Sequence, residues 1–249
     1  PNMETILGRE MKLRGTACRS GEGSMHLDGE LMIFVIYGGE GENTPVQWVE
    51  ESIPFSGEVE LPEASEQMIP FVSVRLLHQE IEMKPDRDGE MRELSVDAVL
   101  ELDMKLYEEK NVELLSDMYS TGCELVLDTG NACFDRLLTR NTCKCRGAEK
   151  ISLNRPERIL QICHSAGTVK LDAAEAKEDG LHMEGVLEVG LLYLTDDDGE
   201  PVGYTTELVP FHCVAEAKGM NEESVYQLNL GLEQLTAVML CLLYTSPSP

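Results

Sequence analysis

Basic and aromatic residues are scarce in this sequence. Its 249 residues include 20 Lys and Arg against 46 Asp and Glu, a formal net charge of −26. A surface of that charge repels a phosphate backbone, so nucleic acid is not expected as a partner. Aromatic residues make up 5% of the chain, with a single tryptophan, Trp48. That is too few for the stacking platforms of a sugar-binding face, and Trp48 is expected in the core or at its rim.

Long apolar runs and familiar catalytic motifs are also missing. No apolar run approaches the ~20 residues of a membrane span, and none is predicted. There is no GxSxG or Walker A sequence, and the glycine-rich stretch 38–41 lacks the third glycine of a dinucleotide-binding loop. Cys163-His164 and His212-Cys213 supply thiol and imidazole, but neighbours on an extended strand point to opposite faces. We therefore predict a protein that is not an enzyme, with no catalytic residues and no cofactor.

What the chain does contain is an internal repeat. The stretch from Leu27 to Phe55 recurs, altered but recognisable, from Met183 to Phe211, at a constant offset of 185 − 29 = 156 residues. A constant spacing through two strands and a turn indicates one domain written twice, and the length allows two domains. The matched positions are Gly29 and Gly185, Leu31 and Leu187, Tyr37 and Tyr193, Pro45 and Pro201, and Pro54-Phe55 and Pro210-Phe211.

The repeat predicts a β-hairpin in each copy. Leu27–Tyr37 is apolar on alternate positions and then on both faces, which predicts a central strand. A returning strand follows at Val46–Ile53 and should stop at Pro54, because proline cannot donate to a β-ladder and belongs at an edge or a strand end. Shorter strands are predicted just before each hairpin, at Arg9–Arg14 and Thr168–Leu171.

Further strands are predicted downstream. Leu94–Leu106 alternates apolar and polar residues, as a half-buried antiparallel strand does, and its hairpin partner is predicted at Val112–Met118. Met68–Met83 and its equivalent Val225–Met239 are apolar, with helical spacing possible near the end of each.

These patterns predict an all-β fold of two tandem antiparallel β-sandwich-like domains. Residues 1–123 form the first and 155–240 the second, which is expected to be truncated at its C-terminus. The segment 124–154 connects them, with possible short strands at Leu125–Leu127 and Cys133–Leu138. The last residues, 241–249, match nothing in the first copy and are expected to be a non-native tail, and the opening without Met suggests that the true N-terminus is missing.

The hairpin tips differ between the copies and are the predicted interaction sites. Asp196-Asp197-Asp198-Gly199 invites a calcium interpretation, but an EF-hand register would place Leu194 and Thr205 where oxygen ligands are required. Turn chemistry explains both tips, so no metal is predicted there. The candidate interaction residues are Glu40, Glu42, Asn43, Asp196, Asp197 and Asp198.

The eight cysteines do not recur at the repeat offset. A disulfide framework copied with its domain would recur, so free thiols and a reducing compartment are expected. The densest group is Cys143-Lys-Cys145 with Cys133 and His164, but it lacks CxxC spacing and a second matched pair. No metal site is predicted, and whether Cys143 and Cys145 bind metal stays open. The other cysteines are Cys18, Cys123, Cys163, Cys213 and Cys241.

The sequence resembles two tandem SPOCS domains of the spore-coat-associated protein family of clostridia-type spore formers. The resemblance rests on GELMIFVIYGGEGENTPVQWVEESIPFSGEVE, its copy GVLEVGLLYLTDDDGEPVGYTTELVPFHCVAEA, RPERILQICHSAGTVK and LEQLTAVM. Family proteins often carry several such copies and a C-terminal LysM module. They are similar to a clostridial morphogenetic factor that binds the ATPase of the spore-coat basement layer.

The resemblance implies a non-enzymatic scaffold or interaction protein in spore coat assembly, and it carries over no catalytic residues. It also implies that the sequence is a fragment of a longer protein with a C-terminal LysM module, which is not found in these residues. The implied location is the mother-cell cytoplasm, at the forespore or spore-coat surface. The implied partner is a protein, such as the spore-coat morphogenetic ATPase. The alternative is a peptidoglycan-binding module, suggested by the LysM domain that usually accompanies these copies.

Overall fold

The computed structural model describes residues 2–40, 46–152, 158–197 and 199–239. Its regular structure is entirely antiparallel β-strand, so the predicted all-β class is confirmed. Three sheets form, with the strand orders β1-β2-β3, β4-β5 and β6-β7-β8. The strands are β1 (Met3–Ser20), β2 (Ser24–Gly39), β3 (Gln47–Glu60), β4 (Ile69–Pro85), β5 (Met91–Tyr107), β6 (Ile159–Lys177), β7 (Gly180–Thr195) and β8 (Val202–Glu216).

The internal repeat is also a structural repeat. Adding 156 to the bounds of β2 gives those of β7, and β1 and β3 correspond in the same way to β6 and β8 within a residue or two. Register shifts recur as well, between Ile6 and Gly8 in β1 and between Ile162 and His164 in β6. In each copy the repeated stretch supplies the middle strand of a three-stranded sheet, which confirms its prediction as a central strand.

The two faces of β2 are buried in different places. Leu31, Ile33 and Val35 lie in a core with Met11 of β1 and Ile81 of β4. The alternate residues Phe34 and Ile36 are also buried, but in a separate apolar cluster with Cys163 of the second copy. Because successive side chains on a strand point to opposite faces, β2 is covered by the first copy on one side and by the second copy on the other.

The β4–β5 hairpin closes the first copy. It packs against β1 and β2 and places Leu94, Val96 and Ala98 beside the core. A tight turn joins the two strands, in which the Asp86 carboxylate accepts hydrogen bonds from the backbone N–H groups of Asp88 and Glu90 at 2.9 and 3.0 Å. The first copy is therefore a sheet of three strands covered by a sheet of two.

Several predicted elements are corrected. The partner of β5 is β4 and not Val112–Met118, and no strand occupies Leu125–Leu127 or Cys133–Leu138. Local apolar content in these segments is not accompanied by a paired neighbour, and a strand without a partner has no ladder to form. The end of β4 is extended and not helical, because it pairs with β5 as far as Pro85.

The predicted strand stops at the repeated prolines are also wrong. Pro54 lies within β3, opposite Glu30, and Pro210 lies within β8, opposite Val186. Both strands are paired on one side only among the described strands. An edge strand tolerates proline, since the missing N–H can fall on the unpaired side.

The repeated Gly and Phe residues share one cross-strand contact. Gly29 is paired with Phe55, and Gly185 with Phe211. A Cβ atom at Gly29 would lie 2.6 Å from the Phe55 ring, and one at Gly185 would lie 3.0 Å from the Phe211 ring and 2.2 Å from the Lys170 carbonyl oxygen. In each copy the aromatic ring covers the glycine across the strand pair. This packing explains why both residue types recur.

The second copy is covered differently from the first. Residues 225–239 form no strand, although the equivalent residues of the first copy form β4. Met220, Leu228, Leu235 and Ala237 pack instead on the β6–β7–β8 sheet as irregular chain. β4 is a strand because it pairs with β5, and among the described strands none follows β8 that could pair with residues 225–239 in the same way.

Candidate functional site

The contact between the two copies brings together polar and apolar groups from distant parts of the chain. It is built on the register shift in β6, where Ile162 pairs with Tyr193 and His164 with Leu192. Cys163 is the extra residue of this β-bulge, and bulges re-aim side chains. The equivalent position of His164 in the first copy is Gly8, so only the second copy carries an imidazole here.

The His164 side chain contacts three residues of the first copy. Its ring stacks on Phe34, with centroids 4.0 Å apart and planes within 11°. Its Nε2 lies 2.6 Å from Oε2 of Glu10, and its Nδ1 lies 3.6 Å from Oε2 of Glu50. The His164 side chain is 17% exposed. The imidazole therefore joins the two copies through one short hydrogen bond, one longer electrostatic contact and one ring face.

The carboxylate of Glu10 is strongly affected by this contact. The hydrogen bond with His164 lowers the pKa of Glu10 from 4.5 to about 2; burial opposes the change, and Lys12 assists it. Glu10 is thus ionised at neutral pH, and the pairing with His164 and Lys12 favours that state.

Beside the polar contact lies an apolar one. Phe34, Ile36 and Cys163 are buried, with relative exposures of 4–6%. Ile36 corresponds to Leu192 and Val46 to Val202 at the repeat offset, so the two copies meet through equivalent faces. Trp48, expected in the core or at its rim, is partly buried against this cluster. The partly buried members are Val46, Trp48, Leu192, Leu194 and Val202.

A groove passes beside His164 between the copies. Its walls include Glu10, Lys12 and Glu50 from the first copy and Leu232 and Glu233 from the second. A second depression on the same interface is lined by Leu7, Arg9 and Tyr204. Both combine charged side chains with apolar walls.

The thiol of Cys163 is buried beside this site. Burial raises the pKa of Cys163, and the thiolate is the nucleophilic form. Among the described residues no hydrogen bond joins Cys163 to His164, which bonds to Glu10 instead. The expectation that adjacent residues point to opposite faces does not hold at the bulge, since His164 stacks on Phe34 and Cys163 belongs to the same cluster.

Two residues of the predicted hairpin tips, Glu40 and Asp196, form hydrogen bonds within the fold. Glu40 is bonded to Asn2, through its backbone N–H to Asn2 O at 3.2 Å and through its carboxylate from Asn2 Nδ2 at 2.9 Å. The equivalent pair in the second copy is Asp196 and Arg158, with bonds of 3.2 and 3.0 Å. Both contacts tie the start of a sheet to its tip.

Of the other tip residues, the structure describes Asp197. Its carboxylate accepts the Gly199 N–H at 2.8 Å, and Thr195 Oγ1 donates to the Glu200 carbonyl at 2.6 Å. These bonds define the turn that the sequence predicts. Glu42, Asn43 and Asp198 lie outside the described residues.

The cysteines are arranged differently from the expectation. Cys145 and Cys213 form a disulfide, so the prediction of free thiols is wrong for these two. Cys143 lies with its Sγ 3.9 Å from that of Cys213. Neither Cys133 nor His164 joins this group. Sequence spacing could not reveal Cys213 as a neighbour of Cys143 and Cys145, because the connecting segment has no strand pattern that fixes its path. The free cysteines among the described residues are Cys18, Cys123, Cys133, Cys143 and Cys163.

Among the described residues, no helix of the length and apolarity needed to cross a membrane is present.

Comparison with known proteins matches both copies of the repeat to one family model. A family model described as "SipL, SPOCS domain" matches residues 2–84 and 158–240. The two matched ranges are 156 residues apart, as the structural copies are, and together they cover more than half of the chain. Neither the curated proteins nor the solved structures yielded a match. The predicted resemblance to tandem SPOCS domains is confirmed.

Proposed function

The chain belongs to the SPOCS domain family, in two copies, and from this premise we propose that it is a non-catalytic interaction module of spore coat assembly. The family match is the observation that carries the proposal, since the family is a sporulation-related one. Each match spans the three-stranded sheet of its copy and the next stretch of chain, which is β4 in the first copy and irregular chain in the second. What the two copies share is therefore architecture.

The structure supplies support of a second kind. The groups gathered between the copies are two carboxylates, an imidazole, aromatic and aliphatic side chains, and a thiol whose pKa is raised. Enzymes of acyl or phosphoryl transfer need an activated nucleophile or a phosphate-binding loop. The described residues between the copies supply neither of these, and this supports a binding role.

The partner that fits this surface is a protein with a basic surface. The net charge of −26 steers a positively charged partner to the chain and repels nucleic acid. The unpaired edges of β3 and β8 bear exposed glutamates, among them Glu50, Glu51 and Glu58 of β3. A spore-coat morphogenetic ATPase is the partner that family resemblance suggests, and the mother-cell cytoplasm at the forespore surface is the corresponding location.

Localisation during sporulation tests this proposal. The full-length protein with a fluorescent tag should collect at the forespore periphery, and a deletion strain should form defective coats. Uniform fluorescence together with normal coats would overturn the proposal.

Co-purification from sporulating cells should recover a coat protein together with this chain. The test variant is E51K/E58K, which reverses two charges at an exposed edge and should weaken recovery while leaving the circular dichroism spectrum unchanged. A parallel pull-down on purified peptidoglycan should retain none of the chain. Retention there would replace the scaffold with the cell-wall glycan alternative.

A further inference from the structure

Three cysteine sulfurs meet at the junction between the connecting segment and the second copy. The Sγ atoms of Cys143, Cys145 and Cys213 all lie within 4.8 Å of one another. Cys213 is buried in β8 at 8% exposure, in a core with Met183 and Leu181. The other two are exposed, on a segment without regular structure. Three sulfurs from two distant parts of the chain thus converge beside an apolar core.

Neighbouring contacts hold the connecting segment in this place. The Asn141 side-chain amide donates to the Glu216 carbonyl at 2.8 Å, at the end of β8. Lys144 lies 2.6 Å from Glu233 of the chain that covers the second sheet. Cys143 and Cys145 flank Lys144, and both of their sulfurs reach Cys213 while the lysine between them pairs with Glu233.

We propose that, in the reduced chain, Cys143, Cys145 and Cys213 bind a soft divalent cation of the Zn²⁺ class. Tetrahedral zinc sites have Zn–S bonds of about 2.3 Å, which sets neighbouring sulfurs about 3.8 Å apart. The Sγ atoms of Cys143 and Cys213 are 3.9 Å apart. Thiolates are the ligands that soft cations prefer, and three of them leave a fourth position for water or a partner's ligand.

The metal-bound form and the disulfide are alternative states of the same three residues. In the disulfide form two of the sulfurs are bonded to each other, and one thiol is left. A phosphine reductant supplies two electrons and becomes the phosphine oxide, taking its oxygen from water, whose two protons restore the two thiols. A dithiol instead supplies both the electrons and the protons and becomes a disulfide itself. Zn²⁺ then displaces three protons as three thiolates form, with no change of oxidation state. Disulfides rarely persist in reducing compartments, which favours the thiol form there.

Binding would fasten the connecting segment to β8. Residues 108–152 contain no strand to hold them, so a cation between Cys143, Cys145 and Cys213 would fix the end of this segment to the second copy. The site is independent of the proposed role in coat assembly, because it is tested on the purified chain alone.

Titration of the phosphine-reduced full chain with Co²⁺, without oxygen, is the test. Thiolate-to-cobalt charge-transfer absorption should appear with about one equivalent of metal and disappear as Zn²⁺ replaces Co²⁺. C143S and C145S, both at exposed positions, should each weaken binding by about tenfold or more. C213S should do the same, with circular dichroism checking that the fold remains.

The matched controls are C123S and C133S, exposed cysteines of the same connecting segment, which should bind as the unsubstituted chain does. The chain oxidised to the Cys145–Cys213 disulfide should not bind. Absence of the charge-transfer band in the reduced chain would overturn the proposal. Full binding by C213S, or equal losses in C123S and C145S, would overturn it as well, since the metal would then be held by other groups.

Discussion

Removing the carboxylate of Glu10 should loosen the contact between the copies. E10Q keeps the shape of the side chain but removes the charge that His164 and Lys12 favour. The pKa of Glu10 falls from 4.5 to about 2 in the folded chain, which is equivalent to about 3 kcal/mol at about 1.4 kcal/mol per pKa unit. The side chain is 33% exposed, and solvent screening reduces the expected loss to about 1–2 kcal/mol.

Acid should remove the same stabilisation. Because the folded pKa of Glu10 is depressed, its contribution is fully present above the unfolded value of 4.5 and is lost as the pH falls towards about 2. Stability of E10Q should therefore differ from that of the unsubstituted chain at neutral pH and converge with it near pH 2. Trp48 packs on the apolar cluster between the copies. Its fluorescence is a natural reporter in urea unfolding at each pH.

A comparable pair elsewhere provides the control. Glu58 and His26 are 3.6 Å apart, both more than half exposed and both in the first copy, so E58Q should change stability by less than about 0.5 kcal/mol. A double-mutant cycle of E10Q with H164A should give a coupling energy of about 1 kcal/mol or more. If E10Q unfolds as E58Q does at neutral pH, or if the coupling energy is zero, His164 does not join the copies in the manner described.

Three further predictions concern stability. G185A should cost about 2–3 kcal/mol in urea unfolding and G29A about 1, because the new methyl meets a backbone carbonyl at 2.2 Å in the first case and a movable ring at 2.6 Å in the second; equal losses would contradict this. Hydrogen exchange should be slower in β2 than in β7, since the β4–β5 hairpin covers β2. Equal protection would mean that the irregular chain protects β7 as effectively as the hairpin protects β2. D86A should lower the free energy of unfolding by about 1 kcal/mol, because it removes two hydrogen bonds from the turn. The urea midpoint should fall accordingly, and an unchanged midpoint would contradict this prediction.

The repeated strands were predictable because their pattern is local. Alternation from Leu27 to Tyr37 indicates which face is buried, and the loss of alternation at Phe34 and Ile36 indicates that both faces are. The structure fills those two faces with the β4–β5 hairpin and with the second copy. Partners of this kind are chosen by tertiary packing and leave no spacing in the sequence. The same limit accounts for the misassigned partner of Leu94–Leu106.

The site between the copies escaped prediction for a related reason. His164 stands where the other copy has Gly8, and the sequence gives no sign that Glu10 lies beside it. A repeat alignment could have indicated such positions, because residues that differ between the copies are not required by the fold that both copies share. Cys213 is a comparable case: its inward direction in β8 follows from alternation, while the approach of Cys143 and Cys145 depends on a segment without periodicity.

Differences between equivalent residues also give the pairing of the copies a direction. Phe34 of the first copy corresponds to Gly190 of the second, and His164 of the second corresponds to Gly8 of the first. A ring in one copy thus stacks on a ring in the other, while the equivalent positions on both sides are glycine. Two identical copies could meet symmetrically through this face. Here the ring stack and the hydrogen bond are each made once, from Phe34 and Glu10 of the first copy to His164 of the second. The duplicated face therefore distinguishes the first copy from the second, and it is here that the copies carry different chemistry on a common architecture.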